Sequence, residues 1–406
     1  MSWEKVKIGD CCEITSSKRI FFSEYVETGV PFYRSKEIIE SANGQAISEP
    51  LFISQEKYDE IKRNFGVPQP GDMLLTSVGT IGVPYIVRED DHFYFKDGNL
   101  TWFRKFNDKL TPQYLYYWVR SAEGQGVLNN TTIGSSQKAL TIASLKGLEI
   151  PCPPVDAQNR IVGILSEYDA LIENNQKQIK LLEEAAQRLY KEWFVDLRFP
   201  GHETTPITDG IPAGWVKGKI SDFVSTFSGG TPSRTHPEYY SDGTNLWVKT
   251  QELNDGFIFD TEEKITNDAI SNSSAKIVPQ GSILMAMYGA TIGKLGIAAK
   301  ELTCNQACCV FDLTNIKVAT SYLFLWLKEN REFFISQGKG AAQPNLSQAM
   351  IKNFDIIIPS DDILMAYANV TDTIMEKIAI LQLQNIGLIE ARDRLLPKLM
   401  NGEIEV

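Results

Sequence analysis

The sequence predicts an α+β fold: a tandem duplication of a mixed α/β domain followed by a long helix, with the two long helices packed as an antiparallel coiled coil. Three segments of the first half recur in the same order in the second half. Each copy then runs through prolines into a long stretch with apolar residues at helical spacing. Ordered internal repeats of this kind indicate that the chain contains two copies of one structural unit.

The repeat is defined by three matched pairs of segments, which are Trp3–Asp10 with Trp215–Asp222, Pro70–Gly82 with Gln280–Gly293 after one inserted residue, and Gln137–Ile150 with Gln343–Ile356. Chance rarely keeps three separate matches in one order and register. We therefore interpret the architecture as a tandem duplication.

Within each copy, alternation of β-branched and aromatic residues predicts short strands, at Tyr85–Arg88, Phe93–Phe95, Thr101–Arg104 and Ala307–Leu313. Short helices are predicted at Pro112–Ser121 and Ser321–Gln337. After Pro153 and Pro154, Asp156 is predicted to cap a long helix whose apolar spacing runs from Ile161 to Phe194.

These elements predict the domain organisation: a first domain over 1–154, a first long helix over 155–198, a linker over 199–214, a second domain over 215–360, a second long helix over 361–400 and a tail over 401–406. The linker is assigned because it is rich in Pro, Gly and Thr.

Both long helices carry a heptad seam, in which core positions alternate four and three residues apart. The first seam is Ile161, Leu165, Tyr168, Ile172, Asn175, Ile179, Leu182, Ala186, Leu189 and Trp193, and the second is Tyr367, Thr371, Ile374, Ile378, Leu381, Asn385, Leu388, Arg392, Leu395 and Leu399.

Full antiparallel overlap of the two seams places Ile161 opposite Leu399 and Asn175 opposite Asn385. Two buried amides in one layer can bond each other, whereas a slipped register leaves each facing apolar residues at about 1–3 kcal/mol per unsatisfied group. We expect the pair to fix register and direction; the alternative is that each asparagine lies at a solvated edge. Such helices, about forty residues long, span on the order of 60 Å and would hold the two domains apart.

Composition limits the classes of function. The formal net charge is -11, whereas nucleic-acid binders usually have a basic balance, so any DNA role needs local basic clusters or a partner that supplies charge. The six cysteines form no even framework, and the first ten residues resemble no secretion signal. The stretch Ile283–Ala299 is too short and too polar to span a bilayer. We expect a reduced, cytoplasmic protein.

Catalytic motifs are not found in the sequence. Gly289–Leu295 resembles a phosphate loop, but it is one residue short and ends in Leu where Ser or Thr would bind magnesium. Cys304, Cys308 and Cys309 lack a second Cys/His pair, so buried thiols are favoured over zinc. A DNA adenine methyltransferase would need an Asn/Asp-Pro-Pro-Tyr/Phe motif, which the chain lacks. The sequence therefore predicts no catalytic site, no metal and no cofactor.

Several local runs carry a resemblance to a known family. They are Phe227–Arg234, Trp193–Glu203, Ile211–Trp215 and the paired Gly-Thr-Ile-Gly-like turns at Gly79–Gly82 and Gly289–Gly293. With the duplicated plan, they resemble the specificity (S, HsdS) subunits of type I restriction-modification enzymes over nearly the whole chain. The first copy departs from the pattern, because Ser16–Arg19 stands where the second copy has Gly229–Arg234.

This resemblance implies two target-recognition domains, each reading one half of a bipartite double-stranded DNA site. It also implies that the long helices dock two methyltransferase (M) subunits and that restriction (R) subunits join the complex. S-adenosylmethionine, ATP and magnesium are then expected on the partner subunits only. The acidic net charge fits if the M subunits supply most of the positive charge that contacts the DNA backbone.

Two pairs of segments are candidates for contact with DNA. Loops of small polar residues ending in Lys or Arg can approach phosphates, and they comprise Ser16, Ser17, Lys18 and Arg19 in the first copy and Gly229, Gly230, Thr231, Ser233 and Arg234 in the second. Side chains able to reach base edges align at Arg34, Ser35 and Lys36 and at Lys249, Thr250 and Gln251. The alternatives are an ordinary polar turn and a solvated strand end.

A third pair of segments supplies Thr76, Ser77 and Thr80 in the first copy and Tyr288 and Thr291 in the second. Gln137 and Gln343 precede helix-like runs and are expected either to contact DNA or to cap a turn. Two other functions stay open from the sequence: a self-contained DNA methyltransferase or nuclease, and a coiled-coil adaptor without DNA recognition.

Overall fold

The computed structural model describes residues 3–45, 47–132, 138–314, 318–338 and 345–406. Gln137 and Gln343 lie outside these ranges, so the structure does not bear on their expected roles.

The described part of the first copy contains ten short strands, which are β1 (Lys5–Lys7), β2 (Glu13–Thr15), β3 (Tyr25–Val26), β4 (Val30–Tyr33), β5 (Phe52–Ile53), β6 (Met73–Thr76), β7 (Pro84–Ile86), β8 (Tyr94–Phe95), β9 (Leu100–Arg104) and β10 (Glu149–Pro151). Its helices are α1 (Ser35–Ala42), α2 (Gln55–Asn64), α3 (Pro112–Arg120), α4 (Ala122–Thr131), α5 (Ile142–Lys146) and α6 (Val155–Tyr190), the last extended by a π-helical turn over Lys191–Val195. The start of α3 follows from the sequence, since Thr111 caps it and Pro112 occupies its first turn.

The strands that follow are β11 (Ile207–Thr208), β12 (Ile211–Pro212), β13 (Val216–Lys219), β14 (Ser225–Ser228), β15 (Asn245–Val248), β16 (Gly256–Ile258), β17 (Lys264–Ile265), β18 (Ile277–Val278), β19 (Ile283–Ala286), β20 (Leu295–Ala298), β21 (Leu302–Cys304), β22 (Cys308–Asp312) and β23 (Asp355–Ile358). The helices are α7 (Ile220–Phe223), α8 (Asn267–Ser271), α9 (Thr320–Glu329), α10 (Arg331–Gln337), α11 (Gln348–Lys352) and α12 (Asp361–Met400).

The predicted duplication is confirmed by the sheet topology. The order β2-β9-β6-β7 in the first copy recurs as β14-β22-β19-β20 in the second, where β16 adds an edge strand. The antiparallel pair β1–β10 recurs as β13–β23, and the parallel pair β4–β8 recurs as β15–β21. Even an isolated bridge is repeated, as Val78 pairs with Ala139 and Tyr288 with Asn345.

The chain divides into two compact units, and the divisions fall inside the long helices. Unit 1 comprises 1–174 and 386–406, and unit 2 comprises 175–385. In the core of unit 1, Ile161 of α6 belongs to the same buried cluster as Leu396 and Leu399 of α12. In the core of unit 2, Tyr190 of α6 shares a buried cluster with Tyr367 of α12. Each unit therefore contains one end of each helix.

Within each unit the two helices run antiparallel. In unit 2, Asn175 Nδ2 donates a hydrogen bond of 3.0 Å to Asn385 Oδ1, and farther along the pair the rings of Trp193 and Tyr367 lie 5.7 Å apart. In unit 1, Arg392 Nη1 donates to Asp169 Oδ1 at 2.6 Å. All seam positions predicted from the heptad spacing are buried or half-buried. The asparagines thus occupy one layer, as the full-overlap register requires.

Several features differ from the sequence predictions. The first long helix begins at Val155, so Asp156 lies in its first turn instead of capping it. The helix predicted over Ser321–Gln337 is interrupted at Asn330, which separates α9 from α10. The predicted linker contains the hairpin β11–β12. Of the helices described, none combines the length and apolar character that crossing a membrane requires.

Candidate nucleic-acid interface

The carboxyl end of β4 positions the first candidate base-reading segment. Arg34 directly follows this strand, and Glu37 Oε2 accepts a 2.6 Å hydrogen bond from the Arg34 backbone N–H. The Arg34 guanidinium also bonds the same carboxylate, with Nε at 3.1 Å from Oε1. Glu37 is fully buried, and its hydrogen bonds raise the pKa of Arg34. Arg34 therefore neutralises a buried carboxylate, and part of its donor capacity is already used.

The second copy repeats this construction with different side chains. Lys249 follows β15, and its backbone N–H donates to Glu252 Oε2 at 2.7 Å. Its side chain turns instead to Glu262, with Nζ at 2.7 Å from Oε2. Glu262 is 68% exposed, so Lys249 is held by a solvated partner, unlike Arg34. The same backbone position is thus stabilised in different ways in the two copies.

Beside these ion-paired residues lie more accessible polar side chains. Lys36 is 45% exposed and forms an ion pair of 3.1 Å with the exposed Glu49. Gln251 occupies the corresponding position of the second copy and is exposed. Ser35 Oγ donates to the Asn99 carbonyl at 3.4 Å, and Thr250 is half-buried. Lys36 and Gln251 are therefore the members of these segments best placed to reach a ligand.

The loop that follows β2 presents two cations. Arg19 is 69% exposed and pairs with Asp97 at 2.8 Å. Lys18 Nζ lies 4.1 Å from the centre of the Phe65 ring, while its backbone N–H donates to Tyr94 Oη at 2.7 Å. Ser16 and Ser17 are half-buried. Lys18 and Arg19 thus carry the accessible charge, and the two serines are partly enclosed.

The corresponding loop after β14 is held by its own backbone. The N–H of Gly229 donates to the Cys308 carbonyl at 3.3 Å, and that of Gly230 donates to the Cys304 carbonyl at 2.9 Å. Gly229 and Gly230 were predicted to approach phosphate, but their N–H groups are engaged within the domain. Thr231, Ser233 and Arg234 are exposed and remain candidates.

Arg234 is positioned by aromatic rings. Its guanidinium lies 4.0 Å from the Tyr240 ring centre and 5.5 Å from that of Trp247, and it pairs with Glu263 at 2.6 Å. Trp247 Nε1 in turn donates to the Gly230 carbonyl at 3.0 Å. This framework fixes Arg234 before any ligand arrives, which reduces the entropy lost on binding.

We expect Gly230→Ala to destabilise the protein, because an added Cβ would lie 2.2 Å from the Ser274 backbone, which no side-chain rotation can relieve. The expected loss is about 1–3 kcal/mol of unfolding free energy, measured by chemical denaturation. The matched control is Gly163→Ala in α6, where no atom lies within 4 Å and alanine should stabilise by up to about 1 kcal/mol. Equal effects at both positions would contradict this prediction.

The third pair of segments divides into buried and exposed members. Thr76 and Ser77 are buried, with Val83 N–H donating to Thr76 Oγ1 at 2.9 Å and Ser77 Oγ lying 2.7 Å from Thr101 Oγ1. Their hydroxyls hold the end of β6 and are withdrawn from any external ligand. Thr80 and Tyr288 are exposed and Thr291 is half-buried, so these three remain candidates.

One connecting loop in each unit brings the three segments together, and we call it the hub loop. In unit 1 it is 96–99, where Lys96 N–H donates to the Tyr33 carbonyl at 2.8 Å and the Asn99 carbonyl accepts from Ser77 N–H at 2.8 Å. The same loop holds Arg19 through Asp97. All three segments of the first copy thus converge on one surface.

The hub loop of unit 2 is 305–307. Asn305 N–H donates to the Val248 carbonyl at 2.9 Å, and Met287 N–H donates to the Ala307 carbonyl at 2.9 Å. Gln306 is exposed and hydrogen-bonds Thr231. Neither Gln306 nor Asp97 was predicted from the sequence. Each follows a strand that runs parallel to the strand before Arg34 or Lys249, and this long-range pairing has no local sequence signal.

Comparison with known proteins also finds one domain twice in the chain. The family model for the type I restriction modification DNA specificity domain matches residues 1–184 and again residues 212–390. The chain belongs to this family. It is a DNA-specificity subunit of a type I restriction-modification system, and its role is recognition and not catalysis. The enzyme and adaptor alternatives are therefore not favoured.

Proteins named as type I specificity subunits, and one solved structure, are similar to most of the chain. The specificity subunit of the type I restriction enzyme MjaIX from Methanocaldococcus jannaschii is 27% identical over 100% of this chain and 94% of its own length. That of HindI from Haemophilus influenzae is 24% identical over 65% of this chain and 71% of its own. The crystal structure of a type I S subunit from M. genitalium has a TM-score of 0.62 at 14% identity, covering 98% of this chain and 96% of that one, which shows a common fold.

Acidic residues partner the cations on both surfaces of this specificity subunit. Lys36 and Glu49, Arg19 and Asp97, Lys249 and Glu262, and Arg234 and Glu263 form ion pairs of 2.6 to 3.1 Å. The hydrogen bond from Lys249 lowers the pKa of Glu262, so this carboxylate stays charged at neutral pH. A phosphate must therefore compete with carboxylates for these cations.

The cysteine side chains in the second copy of this specificity subunit lie in its hydrophobic core. Cys304, Cys308 and Cys309 are buried and unpaired, and burial raises the pKa of Cys309 to about 12, so its thiolate is suppressed. Across the described residues no group of His, Cys, Asp and Glu could hold a metal ion. The phosphate-loop-like run is a turn between β19 and β20, with Gly289 and Gly293 at φ +82° and +77°.

Proposed function

We propose that the chain reads two different half-sites of a bipartite double-stranded DNA target, one with each candidate surface. The first surface comprises the segments 16–19, 34–36 and 78–81 around hub loop 96–99, and the second comprises 231–234, 249–251 and 288–292 around hub loop 305–307. In this assignment the accessible long side chains reach base edges and the loop cations contact phosphates.

The main support for the proposal is that the two copies have the same backbone arrangement at this surface but present different side chains from it. The strand end, the capping carboxylate and the hub-loop hydrogen bond are the same in both copies. On that scaffold Lys36 in one copy corresponds to Gln251 in the other. Lysine suits guanine O6 and N7, whereas glutamine suits adenine N6 and N7. Two equivalent surfaces that differ in this way are suited to two unlike half-sites.

The charge distribution supports a role within a larger complex in the cytoplasm. Because most of the cations of both surfaces have acidic partners and the net charge is -11, the chain alone should bind DNA weakly and with strong salt dependence. Two methyltransferase subunits would add positive charge around the DNA, and restriction subunits would complete the assembly. S-adenosylmethionine, ATP and magnesium would be bound by these partners.

The long helices offer a surface for such partners. Large apolar side chains point to solvent along them, including Leu181 at 64%, Met365 at 67% and Leu383 at 53% exposure. Apolar residues repeated on the exposed side of a helix pair indicate a docking surface. We assign this surface to the methyltransferase subunits, and we assign to Asn175 and Asn385 the role of fixing the register of the helices that present it.

Methylome sequencing of a host that carries the partner subunits tests this function. Removal of the chain should abolish methylation at one bipartite motif. Lys36→Ala should make the motif degenerate at a position in one half, and Gln251→Ala should do so in the other half, because each lost base contact costs about 1–3 kcal/mol of discrimination. Both side chains are exposed, so neither change should unfold the protein.

The matched control is Lys217→Ala, which removes a 56% exposed cation paired with Asp355 outside both surfaces and should leave the motif unchanged. Degeneracy of the same half in both variants would contradict the assignment of one half-site to each surface. Methyl transfer by the purified chain without partners would contradict the recognition-only role.

A further inference from the structure

The two long helices are duplicates that carry different polar residues. Ile161 corresponds to Tyr367 and Trp193 to Leu399, with a constant offset of 206 residues along the seam. The same offset relates α5 to α11, which precede the two helices. Position for position, each seam residue of α6 therefore has an equivalent in α12.

The buried asparagines break this equivalence. The equivalent of Asn175 is Leu381, and that of Asn385 is Ile179. Asn175 and Asn385 bond each other at 3.0 Å and are only 8% and 9% exposed. In the observed register, the layer related to theirs by the duplication is the apolar pair of Ile179 and Leu381. The hydrogen bond between the two side-chain amides therefore forms only when one α6 pairs with one α12.

A partly buried ion pair breaks the equivalence a second time. Arg392 donates to Asp169 at 2.6 Å, and its side chain is 13% exposed. Asp169 also accepts from Arg120 at 3.1 Å and from Tyr117 Oη at 2.7 Å. The equivalents of Asp169 and Arg392 are Met375 and Ala186. This contact, like the first, needs one helix of each kind.

We propose that these two contacts make α6 and α12 select each other over a second copy of the same helix. Pairing of two α6 helices in this register would place Asn175 opposite Ile179 and would remove Arg392 from Asp169. Pairing of two α12 helices would place Asn385 opposite Leu381 and Arg392 opposite Ile374. Every such exchange leaves buried polar groups without partners, whereas the apolar layers accept either arrangement.

The consequence is that the helix pair closes within one chain. Duplicated helices with identical seams would pair equally well with their own kind in another copy, and two chains would then associate through them. The polar contacts prevent this with few residues, since the rest of the seam is apolar in both helices apart from Tyr168, Tyr367 and Thr371, whose hydroxyl bonds Ser321 and the Tyr367 carbonyl. A single buried asparagine is known to act in this way on the pairing of coiled coils.

A full-length transfer variant tests the proposal. Ile179→Asn with Asn385→Ile moves both asparagines onto α6 without changing composition, and Arg392→Ala removes the ion pair so that it favours neither arrangement. Within one chain both asparagines then face apolar residues, whereas two paired α6 helices match each asparagine with another. We expect this variant to dimerise. Its dissociation constant, measured by sedimentation equilibrium, should be at least roughly tenfold below that of the relocated control variant described next.

The control is a relocated variant with Asn175→Leu, Ile179→Asn, Leu381→Asn and Asn385→Ile in the same Arg392→Ala background. It moves the amide pair to the layer of Ile179 and Leu381 and still needs one helix of each kind, so it should remain folded and self-associate no more than Arg392→Ala alone. Two chains could also dimerise by exchanging helices so that the α6 of one pairs with the α12 of the other. In the transfer variant such an exchange still leaves both asparagines facing apolar residues, so it does not stabilise a dimer. Stronger dimerisation of the transfer variant therefore indicates pairing of α6 with α6.

Two outcomes would overturn the proposal. One is a transfer variant that does not dimerise more strongly than the relocated variant, whether it stays single or unfolds. The other is loss of folding in the relocated variant. That result would mean that the asparagines are needed at positions 175 and 385 for stability, and not for selecting the partner helix.

Discussion

Arg34→Ala is expected to lower the free energy of unfolding by about 2–4 kcal/mol. The change strips the guanidinium from Glu37, a fully buried carboxylate, and a buried charge without its partner is strongly destabilising. The value lies toward the low end of the range for enclosed pairs because Arg34 is itself 32% exposed. Urea denaturation measures the effect, and Arg34→Ala with Glu37→Gln should recover much of the loss, because the amide removes the buried charge but keeps an acceptor for the backbone N–H of residue 34.

Lys249→Ala is the matched variant in the second copy. Its partner Glu262 is 68% exposed, so solvent takes over the carboxylate and the expected cost is at most about 1 kcal/mol. In the methylation assay the two variants should affect different half-sites, with Arg34→Ala acting through both recognition and stability. Equal stability losses would refute the distinction between the two partners, and effects on the same half-site would refute the assignment of the surfaces.

Arg392→Ala is expected to destabilise unit 1 by about 2–4 kcal/mol. The guanidinium lies among the seam residues at 13% exposure and bonds Asp169, so its removal costs a charge-assisted hydrogen bond and leaves a cavity between the helices. Hydrogen exchange should show the loss in the amides of unit 1, including α3, whose Arg120 and Tyr117 share the carboxylate.

The control for Arg392→Ala is Arg394→Ala on the same helix. Arg394 is 81% exposed and forms a 3.5 Å pair with Glu390, a surface contact worth about 0–0.5 kcal/mol. If the two variants unfold at the same denaturant concentration, the ion pair with Asp169 contributes nothing to the helix contact.

Long-range order in this fold was predictable where the sequence repeats. The aligned segments predicted the duplication, and the heptad spacing predicted the layer in which Asn175 and Asn385 meet, because both patterns persist over many residues. Strands of two or three residues such as β5 and β8 carry no such periodicity, and tertiary pairing decides them. The hairpin β11–β12 did have a local signal, the Asp209-Gly210 turn, with φ values of 50° and 77°.

The candidate surfaces were predictable only in part. Sequence alignment placed Arg34 and Lys249 at equivalent strand ends, but it could not show that one faces a buried carboxylate and the other a solvated one. Thr76 and Ser77 looked like accessible hydroxyls, yet their side chains satisfy the backbone and Thr101. The hub loops were not predictable from the sequence. Their lengths differ between the copies, and their role depends on the parallel pairs β4–β8 and β15–β21.

Unit 1 is not continuous along the chain, since it takes residues 386–406 from the carboxyl end. Leu396, Leu399 and Met400 are buried in its core beside Ile161 and Leu165. During translation, domains generally fold as they leave the ribosome, beginning at the amino terminus. Here the domain made first lacks part of its core until residues 386–406 have been synthesised. A stop codon placed before residue 386 would therefore damage the amino-terminal domain, because that domain cannot complete its core without this later segment.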